Sequence, residues 1–269
     1  MADAAASRRA LLVVTRPQPQ ADAWVRDLAA RGQPAVALPL MRIEALEADG
    51  PVLRSAWRTL AQHRLVMFVS PNAVLQFFAG RPAAAPWPAD TRAAATGPGT
   101  EAALLQCGVP AGLIDAPAHD AERFDAETLW QQVLARRDWT GAQVLIVRGE
   151  DGRDWLAQRL CAAGAGVDLL AAYRRQPPCW STAEVTLLRS LLAQAEATGR
   201  ARPVWFFSSS QCIEHLAAHL VDDPERLRAA RSLPVLATHP RIAETARRLG
   251  FAEVRPVSPD AAAVVASLD

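Results

Sequence analysis

Six short apolar runs punctuate the chain, and each ends in a polar, turn-prone tetrad that leads into a helix-like pattern. In chain order they are LLVV before Thr15, VMFV before Ser70, AAA before Thr96, VLIV before Arg148, VWFF before Ser208 and PVLA before Thr238. Apolar runs of this length, bounded by turn residues, predict buried strands, and the periodicity that follows predicts helices packed on them. Strand and helix in alternation predict a mainly parallel sheet. Local signals agree. Gly32, Gly108, Gly164 and Gly250 fall just past helical patterns, where a left-handed residue ends a helix. Pro71 and Pro240 fall in a first helical turn, where the missing N–H costs nothing. Ser70, Thr100 and the Ser208–Ser210 run are placed to cap helix N-termini.

The six units form two series. LLVVTRPQPQADAWVRDLAARG-QPAVAL aligns with VLIVRGEDGRDWLAQRLCAAG-AGVDLL, FVSPNAVLQFF with FFSSSQCIEHL, and ATGPGTEAALLQCGV with ATHPRIAETARRLGF. A tripartite unit repeated once predicts a duplicated α/β domain. Linkers are expected around Pro39 and Arg175. Surface loops are expected from Arg81 to Pro88 and from Asp115 to Asp125.

Ligands of open parallel sheets bind at the carboxyl ends of the strands, so six strand ends rich in hydroxyls and backbone donors describe a site for an anion. Thr15, Ser70, Asn72, Thr96, Thr100, Ser208, Ser209, Ser210 and Thr238 would add hydroxyl or amide contacts; capping alone accounts for any one of them. Arg148 with Gly149, and Arg16 in the matching unit, could clamp an anion through bidentate hydrogen bonds. The competing role for Arg148 is a salt bridge to Glu150 or Asp151. Arg153, Arg174, Arg175 and Arg241 are further basic candidates that read singly as solvated surface. Tyr173, the only tyrosine, lies where an apolar run gives way to Arg174, and a phenol there can donate a proton.

Composition narrows the choices. The chain has 269 residues, 51% hydrophobic, with a formal net charge of +1. That is globular, and it lacks the strongly basic signature of a nucleic-acid binder. The four cysteines are scattered with no CxxC pair, and those in helical patterns read as buried thiols. His215 and His219 stand one turn apart, but the glutamate of a zinc-peptidase motif is missing. The N-terminal segment lacks a signal peptide's apolar core, and no stretch is long enough to cross a bilayer, so a cytoplasmic protein is expected. TGPGTEA carries G-x-G-x-x-A at Gly97, Gly99 and Ala102, like a dinucleotide fingerprint; Pro98 and the absence of a suitable acidic residue after a second strand count against it.

Taken in series, TRPQPQADAWVRDLAARG, FVSPNAVLQFF, ATGPGTEAALLQCGV, VRGEDGRDWLAQRLCAAGA followed by YRR, FFSSSQCIEHL and HPRIAETARRLGF resemble the uroporphyrinogen-III synthase family across nearly the whole chain. The resemblance implies two flavodoxin-like α/β domains joined by a two-stranded linker, with the N-terminal segment packing with the C-terminal third. The expected domains are 1–38 plus 175–269, and 39–174. It implies cyclisation of hydroxymethylbilane to uroporphyrinogen III, with ring D inverted and water lost, without cofactor or metal. It places Tyr173 as the assistant to hydroxyl departure, and Thr100, Ser208, Ser209 and Thr238 in substrate binding. Thr96, Gly97, Arg148, Gly149 and Arg241 complete the expected site. Thr238-His239-Pro240-Arg241 departs from the family's Gly-rich turn, and Arg241 is expected to replace backbone contacts there. The expected partners are the tetrapyrrole substrate and, transiently, hydroxymethylbilane synthase, with neither nucleic acid nor membrane; the chain is expected to act as a monomer. Two other readings stay open: a dinucleotide-dependent oxidoreductase using Gly97 and Gly99, and a non-catalytic binder of a small polyanion.

Overall fold

The computed structural model describes residues 9–46, 50–83, 85–195 and 202–268. The chain divides into two compact units, Met1–Arg42 with Gln176–Asp269, and Ile43–Arg175. The first holds strands β1 (Leu12–Val14) and β2 (Ala35–Ala37). The second holds β4 (Leu65–Phe68), β5 (Arg92–Ala95), β6 (Ile114–Asp115) and β7 (Gln143–Gly149). Strands β3 (Arg42–Ala45) and β8 (Gly166–Gln176) carry the chain across the unit boundaries. The first unit is completed by β9 (Val204–Phe207), β10 (Val235–Ala237) and β11 (Val254–Pro256).

The sheet of the first unit runs β2-β1-β9-β10-β11, and its strand pairs are parallel. Read along the chain within the unit this is 2-1-3-4-5, the flavodoxin-like order. The second sheet runs β3-β8-β7-β4-β5-β6, with the five strands β8 to β6 paired in parallel. Matching the sheets makes β7 the counterpart of β1, β8 of β2, β4 of β9, β5 of β10 and β6 of β11. The N-terminal strand thus pairs with the C-terminal third, and each unit holds one copy of each repeated piece. The two chain crossings lie in β3 and β8, neighbours at one sheet edge. Pro39 and Leu40 stay with the first unit because Trp180 Nε1 donates to the Pro39 carbonyl (2.8 Å) and His215 Nδ1 to that of Leu40 (2.8 Å).

Period-two alternation sorts the second sheet into two cores. Val66, Phe68, Leu145 and Val147 pack with Trp57 and Phe77 on one face. Leu65, Met67, Val144 and Ile146 pack with Leu129, Trp139 and Leu160 on the other. Removing one such side chain, Phe68→Ala for instance, costs about 3–5 kcal/mol. In the first unit Leu12, Val14, Phe206 and Leu236 meet Leu28 and Val264. Gly32 (φ 73°) and Gly164 (φ 95°) end their helices in the left-handed region, as the spacing requires. Pro71 and Pro240 are first residues of their helices.

Three expectations are corrected. Thr100 does not cap; it is buried inside helix Pro98–Gln106, whose cap is Gly97. Cys161 is exposed, because the helix carrying it turns that position outward. The repeat also slips by one residue. Phe68 pairs with Ala95, and Phe207 with Ala237, which makes Phe68 the counterpart of Phe207 and Ser70 the counterpart of Ser209. The same registers put Val14 opposite Phe206 and Ile146 opposite Met67, so Arg16 corresponds to Arg148 rather than to Gly149. The letters had aligned on strand composition; the ladders align on hydrogen bonds.

Candidate functional site

The open-sheet rule points to the strand ends beside the switch in strand order, between β1 and β9 in one unit and between β7 and β4 in the other.

In the second unit the helix Pro71–Ala79 begins at Ser70, whose Oγ accepts from the Ala73 N–H (3.2 Å). The same Oγ lies 2.9 Å from the Tyr173 hydroxyl. Tyr173 arrives there through a register shift: Arg148 pairs with Ala171 but Gly149 with Tyr173. Such a bulge re-aims the side chains beyond it. Gly149 makes room, since a Cβ on it would come within 3.0 Å of the phenol ring. Tyr173 has no exposed surface. Arg175 lies two residues on and so on the same strand face; its guanidinium sits 5.6 Å above the ring and Nη2 donates to the phenol oxygen (3.3 Å). Sequence reading left Arg175 among solvated arginines, although the i, i+2 spacing from Tyr173 on a strand was the available signal. Arg174 faces the other way and pairs with Glu150 through two bonds (2.5 and 2.9 Å), which hold the Glu150 carboxyl below its ordinary range.

Arg148 pairs with Asp154, not with Glu150 or Asp151, and packs against Gly152. Thr96 Oγ1 donates to the Val69 carbonyl (3.3 Å), tying the end of β5 to that of β4. Asn72 is the second residue of the helix capped by Ser70. Gly97 approaches Phe124, whose Cβ would lie 2.8 Å from an added Cβ. That glycine therefore serves packing. Asp115 on β6 is held by Arg92 (2.7 Å) and Arg137 (2.6 Å). Burial pushes its carboxyl up, but the hydrogen bonds from the two arginines outweigh this and hold it below the usual range. Gly97 and Asp115 are both committed within the protein, and the dinucleotide reading has no support.

In the first unit Thr15 departs from expectation. It is fully buried and its hydroxyl donates to the Phe206 carbonyl (2.7 Å), so it fastens β1 to β9 instead of facing a ligand. Arg16 follows. Its guanidinium lies over the rings of Trp24 (4.8 Å) and Phe206 (5.9 Å), and its Nε is sealed from solvent with no hydrogen-bond partner. Burial brings its pKa down to about 10, partly offset by nearby Cys212, so it remains charged at neutral pH. Cys212 belongs to the first turn of helix Ser210–His219 and lies 3.5 Å from the Thr15 carbonyl. Ser209 occupies the N-cap of that helix without a side-chain cap bond. Ser208 is half-buried between β9 and this cap. Ser210 accepts from Thr245 Oγ1 (3.1 Å). Thr238 donates its N–H to Phe207 (3.1 Å), and His239 Nδ1 caps helix Pro240–Arg248 by accepting from the Arg241 N–H (3.1 Å). The His239 departure is thus an imidazole cap, and Arg241 sits in the first turn it caps. His215 and His219 serve structure: one holds Leu40, the other packs edge-on against Trp180.

No cluster able to hold a metal ion occurs among the described residues, and no helix there is long and apolar enough to cross a membrane. Residues 22–266 match the family described as Uroporphyrinogen-III synthase HemD. A curated uroporphyrinogen-III synthase of Salmonella typhimurium is 28% identical over 267 residues, covering 91% of this chain and 93% of that protein. A crystal structure of mutant uroporphyrinogen III synthase from Thermus thermophilus matches the fold with a TM-score of 0.56 at 17% identity, covering 96% of both chains. A family match over all but the chain's ends, on a duplicated flavodoxin-like fold with the first strand exchanged, gives one conclusion: the chain belongs to the uroporphyrinogen-III synthase family.

Proposed function

We propose that this chain carries out the family's cyclisation, hydroxymethylbilane to uroporphyrinogen III with ring D inverted and one water lost, using two chemically different strand-end sites. The first-unit site grips substrate carboxylates. The observation that carries this reading is half-buried Arg16, charged, its Nε sealed from solvent without a hydrogen-bond partner, beside a helix N-terminus that no side chain caps. A partly desolvated cation without a counter-ion is costly, and a helix N-terminus favours an anion. A substrate bearing eight carboxylates supplies the partner. Each charge-assisted hydrogen bond contributes about 1.5–3 kcal/mol. Ser208, Ser209, Ser210, Thr238 and Arg241 lie at the same strand ends and would share that role.

The second-unit site works on the hydroxymethyl arm. Hydroxyl departure needs a proton and leaves a cationic azafulvene, and Tyr173 is the source of that proton in this reading. Ser70, Asn72, Thr96 and Gly149 lie at those strand ends and would orient the pyrroles, while Gly97, Thr100 and Arg148, committed to Phe124, to a helix interior and to Asp154, would shape that end from behind. The chain would act as a cytoplasmic monomer that takes its unstable substrate from hydroxymethylbilane synthase by transient contact.

The test is the product isomer. Hydroxymethylbilane closes spontaneously to the type I product. Purified chain that yields type III in excess, and loses turnover in Tyr173→Phe, supports the proposal. Type I alone would leave a binder of polyanions.

A further inference from the structure

Tyr173 has no exposed surface, so as it stands its hydroxyl cannot touch a substrate. What covers the hydroxyl is chemically specific. Arg175 Nη2, which can only donate, approaches the phenol oxygen at 3.3 Å. Ser70 Oγ lies 2.9 Å away on a half-buried residue. A fully enclosed phenol has to place its own proton inside, and the Ser70 oxygen is the acceptor in reach. That oxygen also accepts the Ala73 N–H at 3.2 Å. With both lone pairs used, Ser70 has its own O–H left to donate.

We propose that Ser70 is the catalytic residue that hands the proton to the departing hydroxyl, and that Tyr173 acts through it, with Arg175 holding the phenol from behind. This deepens the role given to Tyr173 above and rests on it. The step balances. The Ser70 hydrogen passes to the hydroxyl oxygen of the substrate while the Tyr173 hydrogen passes to Ser70 Oγ. The carbon–oxygen bond breaks with its electron pair going to oxygen, and water leaves. The pyrrole nitrogen supplies electrons to the methylene carbon, giving the cationic azafulvene. The phenolate left behind lies beside the Arg175 guanidinium, which stabilises it. When ring closure later releases a proton to restore the aromatic pyrrole, that proton returns along the same path. Ser70 thereby serves two purposes with one atom: it caps a helix and ends a relay.

Capping and relay separate experimentally. Ser70→Gly keeps an acceptable N-cap but has no hydroxyl, and Ser70→Thr keeps both. Type III formation under saturating substrate is measured for these, for Tyr173→Phe and for the double variant, with a melting curve for each. Ser70→Gly is expected to lose turnover about as much as Tyr173→Phe, by roughly 10²-fold or more. The double variant is expected to be no slower than the worse single one, because the two residues act as a unit. Ser70→Thr should recover turnover to within about tenfold of the parent chain. The solvent deuterium effect should curve with isotope fraction in the parent chain, as for two protons in flight, and become linear in Tyr173→Phe. A slow Tyr173→Phe with a fast Ser70→Gly, or additive losses, would overturn the relay while leaving Tyr173 in the mechanism. Unchanged turnover in Tyr173→Phe would remove both.

Discussion

Arg16 and Arg148 occupy the same place in two copies of one design, and they have opposite surroundings. Arg16 lies just past β1 and Arg148 at the end of β7, each the strand beside the switch in strand order. Arg148 has its counter-ion, Asp154, supplied by its own loop. Arg16 lies on aromatic faces with its Nε sealed and unpartnered, and no ion pair to it occurs among the described residues. The helix caps differ in the same sense. Ser70 caps its helix, while its counterpart Ser209 does not. One unit has partners for its strand-end groups; the other leaves a guanidinium Nε and a helix N-terminus without a side-chain partner. Under the proposed function, duplication supplied the frame and a few side chains decide which copy binds and which reacts.

The comparison is broken most directly by removing each arginine in turn. Arg16→Met should raise KM roughly 10- to 100-fold, the loss of one or two charge-assisted hydrogen bonds. It should leave the melting temperature unchanged or higher, since a desolvated cation is replaced by an apolar chain. Arg148→Met should raise KM less than about threefold, because Asp154 already occupies that guanidinium. Steady-state kinetics and a thermal scan of the two variants suffice. Equal KM changes would mean that the copies bind alike.

The outer sheet edges sharpen the contrast on stability. Asp115 on β6 sits between Arg92 and Arg137, with its carboxyl held below the ordinary range. Its counterpart strand β11 is held by arginine–carbonyl bonds instead, from Arg247 to Val254 (3.1 Å) and from Arg255 to Ser267 (3.3 Å). A carboxyl whose folded pKa lies below its unfolded value stabilises above the unfolded value, about 4, and loses that contribution as pH falls through both. Acid unfolding should therefore begin in the unit Ile43–Arg175. Asp115→Asn should cost roughly 1–3 kcal/mol at neutral pH and flatten the acid limb below about pH 4. Hydrogen exchange resolved by unit, between neutral and acid pH, reads this directly. Acid opening that starts at β11 would contradict it.

Much of this architecture was legible because it follows from local chemistry. Gly32, Gly108, Gly164 and Gly250 all take positive φ where the spacing required a helix stop. The strand runs were legible because three or four apolar residues between turn signals have few alternatives. Registers were not legible. A one-residue slip left the strand letters plausible, and only the pairing of Phe207 with Ala237 places Arg16 opposite Arg148 in the repeat. Hydroxyl roles were equally hidden. Thr15 and Ser70 both follow an apolar run, yet one is spent on a neighbouring strand and the other on a helix and a phenol. Which way a hydroxyl turns depends on partners nearly 200 and about 100 residues away along the chain.

The smallest expected effect is the most local. Gly149 gives Tyr173 its place: an added Cβ would lie 3.0 Å from two ring carbons and 3.3 Å from the phenol oxygen. Its counterpart in the first unit is Pro17, a buried residue with a ring of its own. Gly149→Ala asks the ring to give by a few tenths of an ångström. That shift is small against the packing of a large core, and overpacking by one methyl at a yielding ring should cost about 1 kcal/mol. It is not small against a 2.9 Å hydrogen bond that has to pass a proton. Turnover should fall several-fold, roughly 3- to 10-fold, with KM unchanged, because the proposed function assigns carboxylate binding to the other unit. A rise in KM with unchanged turnover would place substrate contacts, not proton transfer, at this strand end, and would erase the division of labour between the copies.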